Sequence, residues 1–316
     1  MNKSNQLYFI LKNISLERPW LETIFQGKFI DFTLQDTPLF FLKHIQGYHD
    51  TPSLILGKDM YLQNEINIFL KKILDFFLKK SIKINLIQLG DEAAEKLFFE
   101  FYEHPAIEKI IRNYCYPYTL QEIPEKALNK IYIFPLGTFH LNQAQAQLQA
   151  NVYKSFQERS LIWSFIGRQF YGREYELAHY KEIYPSFCKM TKDFLSPDAL
   201  GPKDYQEYLK ISKFVPTVCG CNPETFRFYE ALEFGAIPLY IRQPDDEIHW
   251  RFIQKLFPDI LEIPTFQEAA KILSSLTSYK SMEEWEEYRI YLCQRWQEIK
   301  KDPLVKFYDI LMLSGR

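Results

Sequence analysis

NPETFRFYEALEFGAIPLYI, residues 222–241, is the stretch on which the fold turns. Asn222 is a favoured N-cap and Pro223 suits the first helical position, where a missing N–H costs nothing, so a helix is expected to begin there. Gly235 ends that helix. From Ala236 to Ile241 the residues are apolar or β-prone, with Pro238 tolerable near a strand's start. The preceding KFVPTVCG, residues 213–220, reads as another strand. Strand, tight turn, helix and strand make a βαβ crossover whose helix begins at the carboxyl end of a strand. Unpaired backbone N–H groups and the positive end of the helix dipole face outward there, which makes an anion site. Arg227 and Glu230 lie three residues apart on one face. They read in two ways: as a basic group and a carboxylate for a diphosphate and ribose hydroxyls, or as a solvated ion pair worth a few tenths of a kcal/mol.

Working outward, strand-like segments recur along the chain: QLYFIL, KFIDFTL, SLILG, KINLIQLG, KIIRNY, KIYIFPLG, LIWSFIG, KFVPTVCG, AIPLYI and DILEIP. Helical patterns fall between several of them, at residues 62–80, 91–102, 174–184 and 266–276. This alternation argues for an α/β protein with mainly parallel sheets, and the strands are too many for one small sheet. The polar, Gln-rich stretch 142–160 contains no convincing strand and divides them into two sets, giving expected domains of 1–150 and 151–316. It reads equally as a helix at the junction. Trp285, Tyr288, Leu292 and Trp296 recur at helical spacing amid charges, as in an amphipathic helix packed on a domain.

Composition narrows the function classes. A chain of 316 residues suits two domains of about 150 each. With 47% hydrophobic and 17% aromatic residues it can fill two cores. Lys plus Arg number 38 against 40 acidic residues, so no global basic field recruits nucleic acid, and an anionic ligand must meet a local site. Five cysteines, odd in number and irregularly spaced, fit a reducing compartment. Cys219-Gly-Cys221 lacks the two-residue spacer of a zinc or thioredoxin pair, so both read as ordinary buried or loop thiols. The longest apolar run near the N-terminus is LYFIL, too short for a signal or anchor, so a cytoplasmic protein is expected, with peripheral contact at the inner membrane face left open.

Several fragments together resemble a known family. YLKISKFVPTVCGCNPETFRFYEALEFGAIPLYI resembles the C-terminal signature of the exostosin-like glycosyltransferases, family 47, with its Ser-Lys-Phe strand, an Arg ahead of Glu-Ala-Leu, and Gly-x-Ile-Pro. WSFIGRQFYGRE, residues 163–174, resembles that family's Phe-x-Gly strand end followed by arginine. QLGDE, RNYCYPY and IYIFPLG resemble, more loosely, strand ends of members related to the exostosins and to ribitol xylosyltransferase. The likeness implies a GT-B architecture: two Rossmann-like domains facing a cleft, the C-terminal one binding a nucleotide-sugar, generally UDP-linked, and the N-terminal one a glycan or lipid-linked glycan acceptor. It implies donor contacts from Gly167, Arg168, Arg173, Ser212, Lys213, Asn222, Thr225, Phe226, Arg227 and Glu230, with Glu230 on the ribose and the arginines toward the diphosphate. One departure stands out. Family members often carry a basic residue after the strand, and residues 217–220 here offer none.

The resemblance further implies inversion at the anomeric carbon, hence a general base from the N-terminal domain. Asp91 and Glu92 follow the apolar strand KINLIQLG at its carboxyl end and are the candidates; the same position suits acids favoured by a helix dipole. Arg112 and Asn113 in KIIRNY are candidates to line the acceptor side, and His140 is a further candidate base. Asp245 and Asp246 in QPDDEIHW read as solvated loop acids rather than metal ligands, and no essential metal or cofactor is expected. Two other functions stay open: a nucleotide- or sugar-binding protein without catalysis, and a sugar-nucleotide epimerase.

Overall fold

The computed structural model describes residues 6–11, 18–57, 63–90, 98–114, 123–138, 153–170, 172–193, 196–220, 222–242 and 246–312. It is an α/β protein with two sheets, one seven-stranded and mixed, the other four-stranded and parallel, consistent with two Rossmann-like domains. The chain forms two compact units, Met1–Pro135 with Pro303–Arg316, and Leu136–Asp302.

In the first unit the order is β1 (Leu7–Leu11), α1 (Arg18–Ile24), β2 (Lys28–Phe32), α2 (Pro38–Ile45), β3 (Ser53–Leu56), α3 (Gln63–Lys79), β4 (Ile84–Gln88), β5 (Ile107–Arg112), α4 (Glu125–Leu128) and β6 (Ile131–Ile133). The second unit continues with β7 (Leu161–Arg168), α5 (Arg173–Ala178), β8 (Ser186–Thr191), α6 (Pro202–Ile211), β9 (Ser212–Pro216), α7 (Phe226–Glu233), β10 (Ile237–Leu239), α8 (Glu247–Leu256), α9 (Phe266–Ser274), α10 (Leu276–Tyr279) and α11 (Met282–Ile299). Last come β11 (Val305–Lys306) and α12 (Phe307–Met312), and β11 pairs antiparallel with β6. This pairing places the C-terminal residues with the first unit rather than with the expected 151–316 domain.

The first sheet runs β2-β1-β3-β4-β5-β6-β11. Its inner strands β1, β3 and β4 are buried along their whole length, which is why they read as continuous apolar runs rather than alternating ones. Helix α3 covers part of this core with Ile66, Leu70, Ile73 and Phe77, all buried, and an aromatic group joins Phe9, Phe32, Phe41 and Phe69. The second sheet runs β8-β7-β9-β10, so it repeats the spatial order of the first four strands of the first sheet. In each, the chain winds to one side of the starting strand and then reverses. The reversals fall between β1 and β3 and between β7 and β9, and in open α/β sheets ligands bind outside the strand carboxyl ends at such points.

The second core shows why the polar stretch before β7 is not simply a linker. Phe156 is fully buried, stacked on Trp285 and edge-on to Phe214. Arg159 is 1% exposed and donates to four backbone carbonyls: Lys154, Leu209, Ser212 and Phe234. Leu209 and Phe234 lie at the carboxyl ends of α6 and α7, where a cation is favoured by the dipole. Trp285 and Trp296 are core residues of α11, which opens with a capping box between Ser281 and Glu284.

Three local expectations change. DILEIP forms no strand, only a single bridge between Ile241 and Ile263. Strand β8, SFCKMT, was not anticipated because it is an edge strand of mixed polarity. The helix of the opening stretch begins at Phe226 with Thr225 as its N-cap, three residues beyond the Asn222-Pro223 start. Asn222 instead accepts the Glu224 N–H on its side chain at 3.0 Å, holding a turn ahead of the helix. Gly235, at φ +74°, does end α7.

Candidate functional site

The carboxyl edge of the four-stranded sheet, at the reversal between β7 and β9, gathers most of the donor residues expected from the sequence. Arg227 sits in the first turn of α7. It is 9% exposed, its guanidinium lies 4.2 Å from the centre of the Phe165 ring, and its Nη2 donates to the Ile166 carbonyl at 2.9 Å. Gly167 is the residue that makes this possible. A Cβ there would fall within 3.0 Å of Arg227 Nη2, so the space beside Gly167, an expected donor contact, is filled by an arginine. The Arg227 Nε is buried with no hydrogen-bond partner among the described residues.

Arg173 opens α5 and reaches the loop after β9. Its Nε donates to the Cys219 carbonyl at 2.9 Å and its Nη1 to the Arg168 carbonyl at 2.7 Å, so one side chain ties the end of β7 to the loop after β9. It is buried, and a Cβ on Gly220 would stand 3.1 Å from its Nη2. Both guanidinium groups lie within about 6 Å of the Phe165 ring, the range over which a ring face attracts a cation. Arg168 itself is exposed at the end of β7.

Glu230, one turn into α7, is 3% exposed and accepts the Tyr205 hydroxyl at 2.6 Å. Burial, then the Glu230 carboxylate, push the Tyr205 phenol well above its ordinary value, with Arg227 opposing, so the hydroxyl stays protonated and donates. Arg227 and Glu230 are therefore not a solvated pair: both are buried, and their bonds go to β7 and α6. Thr225, the N-cap, makes no side-chain cap bond, and its buried Oγ1 lacks a partner among the described residues. Phe226 is the half-buried first residue of α7. Glu224 fixes the turn before the helix by accepting the Leu136 N–H at 2.7 Å and the Tyr229 hydroxyl at 2.6 Å.

Other expected residues lie elsewhere. Ser212 and Lys213 occupy the amino end of β9, away from its carboxyl edge. The Ser212 hydroxyl bonds Ser164 and the Tyr208 carbonyl, and the Lys213 ammonium donates to the Arg159 carbonyl, so both hold the fold rather than join the arginines. In the first unit Arg112 is fully buried at the end of β5, bonded to the Tyr102 hydroxyl at 3.2 Å, and Asn113 accepts the Gly90 N–H at 3.3 Å. Arg112 thus belongs to a buried network with Tyr102 and Gln88. Asp91, Glu92 and His140 lie outside the described residues.

A second buried group adjoins the site and was missed in the sequence. Asp246, the N-cap of α8, is 1% exposed, so it is not a solvated loop acid; Asp245 lies outside the described residues. It accepts the Tyr240 hydroxyl and lies 3.5 Å from His249 Nδ1, which also contacts that hydroxyl at 2.8 Å. The available signal was the N-cap position of Asp246, three residues before a histidine in the same helix turn. Burial first, then Asp246 and Glu176, push the Cys219 thiol up to about 12, so it is a neutral thiol near pH 7. Among the described residues no group of three or more His, Cys, Asp or Glu is placed to hold a metal, and no helix is long and apolar enough to cross a membrane.

The arrangement can take an anion. A nine-tenths buried guanidinium bonded, among the described residues, only to a neutral carbonyl is costly without a counter-charge. It stands here at a helix N-terminus on a topological switch point, beside a second buried arginine. No protein-family model matches the sequence, and no curated protein matches it.

Proposed function

We propose that the chain is an inverting glycosyltransferase of GT-B architecture, moving a sugar from a nucleotide donor, UDP-linked, to a glycan or lipid-linked glycan acceptor in surface polysaccharide synthesis in the cytoplasm. The observation that carries the reading is Arg227: buried, lacking a carboxylate partner among the described residues, and seated at the α7 N-terminus on the β7/β9 reversal. A diphosphate oxygen there gains a charge-assisted bond of roughly 1.5–3 kcal/mol and a helix-terminus contribution of about 0.3–1 kcal/mol. Arg173 and the exposed Arg168 add positive charge on the same edge, which supports the donor diphosphate lying across the ends of β7 and β9. Glu230, oriented by the Tyr205 hydroxyl, is the carboxylate for the ribose hydroxyls in this reading.

In the transfer step the acceptor oxygen forms its bond to the anomeric carbon as the bond to the diphosphate oxygen breaks. The nucleoside diphosphate leaves with the electron pair, and the acceptor proton passes to a carboxylate of the first unit, Asp91 or Glu92. The arginines stabilise the leaving charge. Incubation with a panel of UDP-sugars and glycan acceptors tests the reading. A glycosidic product with inverted configuration and released UDP is the expected result, unchanged by chelator. A sugar altered but not transferred, or loss in chelator reversed by manganese, overturns it. Nucleotide binding without turnover leaves a binding protein, a reading favoured by the fact that every donor-side contact above is made within the second unit.

A further inference from the structure

The outer face of α3 is built differently from its core face. Ile68, Lys71, Lys72, Asp75, Phe76 and Lys79 follow one another at intervals of three and four residues, so they form one stripe along the helix. With Pro38 of α2 they line an open groove of about 460 Å³. Ile68 is 71% exposed, and Leu39, in the first turn of α2, is 67% exposed. Leu78, beside the stripe, is 43% exposed. Lysines surround these apolar tips: Lys71, Lys72, Lys79 and Lys80 on or just beyond α3, and Lys43 on α2, all exposed. Two acids share this face: Glu65, exposed in the first turn of α3, and Asp75, which is already engaged by Lys71 at 2.9 Å and His104 Nε2 at 3.4 Å, contacts that hold its carboxyl below its ordinary value.

The chain as a whole is nearly neutral, with a formal net charge of -2. A local excess of lysine around projecting Leu and Ile tips is therefore a feature of this face and not of the composition. We propose that the α2–α3 face docks on an anionic lipid bilayer, Leu39 and Ile68 entering the headgroup layer and the lysines meeting lipid phosphates. Charge complementarity selects an anionic surface. A bilayer, rather than a folded acidic partner, fits because apolar tips on two separate helices can enter a fluid layer together without a matching shape. Contact of this kind is peripheral and salt-sensitive.

Cosedimentation of the full chain with phosphatidylcholine vesicles, with and without phosphatidylglycerol, tests the proposal. Each lysine near an anionic surface is worth about 1 kcal/mol, or roughly fivefold in partitioning. Lys72→Gln, Lys79→Gln and Lys80→Gln together then lower binding to the anionic vesicles on the order of a hundredfold, and Leu39→Ser with Ile68→Ser lowers it at unchanged charge. All five positions are exposed, and circular dichroism confirms that the variants fold. Absence of binding to anionic vesicles, equal binding to neutral ones, binding unchanged in either variant, or capture by polyglutamate beads without vesicle binding each overturns the proposal.

Discussion

Replacing Gly167 by Ala separates the account given of the β7 edge from a looser one in which glycine merely admits a ligand. Gly167 has no left-handed backbone, so the penalty for a Cβ is one of contact alone. That Cβ would meet Phe165 Cζ at 3.3 Å and Arg227 Cζ at 3.4 Å, both tolerable with small shifts, but it would overlap Arg227 Nη2. The guanidinium must withdraw, losing its bond to the Ile166 carbonyl and its place over the Phe165 ring. The broken bond costs about 1–3 kcal/mol and the lost ring contact about 0.5–1 kcal/mol. Reduced freedom of the unfolded chain returns about 0.4–1 kcal/mol. The net is a destabilisation of about 2 kcal/mol, which lowers Tm by roughly 4–8 °C for a unit of this size. Thermal melts and urea titrations of Gly167→Ala, Arg227→Ala and the double variant make the assay. With Arg227 truncated the clash has no object, and Gly167→Ala should cost less than about 0.5 kcal/mol. An equal cost in both backgrounds refutes the reasoning.

Truncating Arg159 to Ala leaves four carbonyls without their donor and should cost about 3–5 kcal/mol in urea unfolding; a loss under about 1 kcal/mol contradicts the staple assigned to it. Arg289, then the Phe156 N–H, hold the Glu286 carboxyl below its ordinary value against burial. Its contribution is therefore present above the unfolded carboxylate value, about 4.3, and is lost as pH falls through the lowered folded value. Glu286→Gln should lower stability at pH 7 and flatten the acid limb of the stability curve, and an unchanged limb counts against the assignment. Cys219, half-buried and held neutral, should alkylate slowly in the native chain at pH 8, as read by mass spectrometry; rapid labelling there contradicts its raised pKa.

Much of the fold was legible because its signals are local. Buried parallel strands such as LYFIL and INLIQ announce themselves as apolar runs, and Gly235 marks the end of α7 by a backbone conformation few other residues adopt. The start of α7 was not legible, since Asn222-Pro223 is a good cap sequence, yet the Glu224 carboxylate holds a turn there by accepting the distant Leu136 N–H and the nearby Tyr229 hydroxyl. Spacing placed Arg227 and Glu230 on one face but could not reveal their partners, Ile166 and Tyr205, 61 and 25 residues away. Arg159 was hidden in a polar stretch because its partners are carbonyls, which leave no trace in a sequence. Ser212 and Lys213 entered the candidate site through the Ser-Lys-Phe strand of the family resemblance, yet a strand carries its two ends to opposite edges of a sheet, and they lie at the amino end. Asp246 and His249 carried a weak signal as an N-cap acid three residues before a histidine, and the packing of Tyr240 against them is what discloses a buried group.

The central claim is that a nucleotide diphosphate binds at the carboxyl edge of the four-stranded sheet. Calorimetric titration of UDP, with GDP and CMP as controls, into the wild type, Arg227→Ala and Glu230→Ala tests it most directly. The account predicts selective UDP binding by the wild type, weakened about tenfold or more in each variant, as loss of a charge-assisted bond requires, with melts showing both variants folded. No nucleotide binding by the folded wild type, or UDP affinity unchanged in both variants, contradicts it and returns the β7–α7 edge to a structural role.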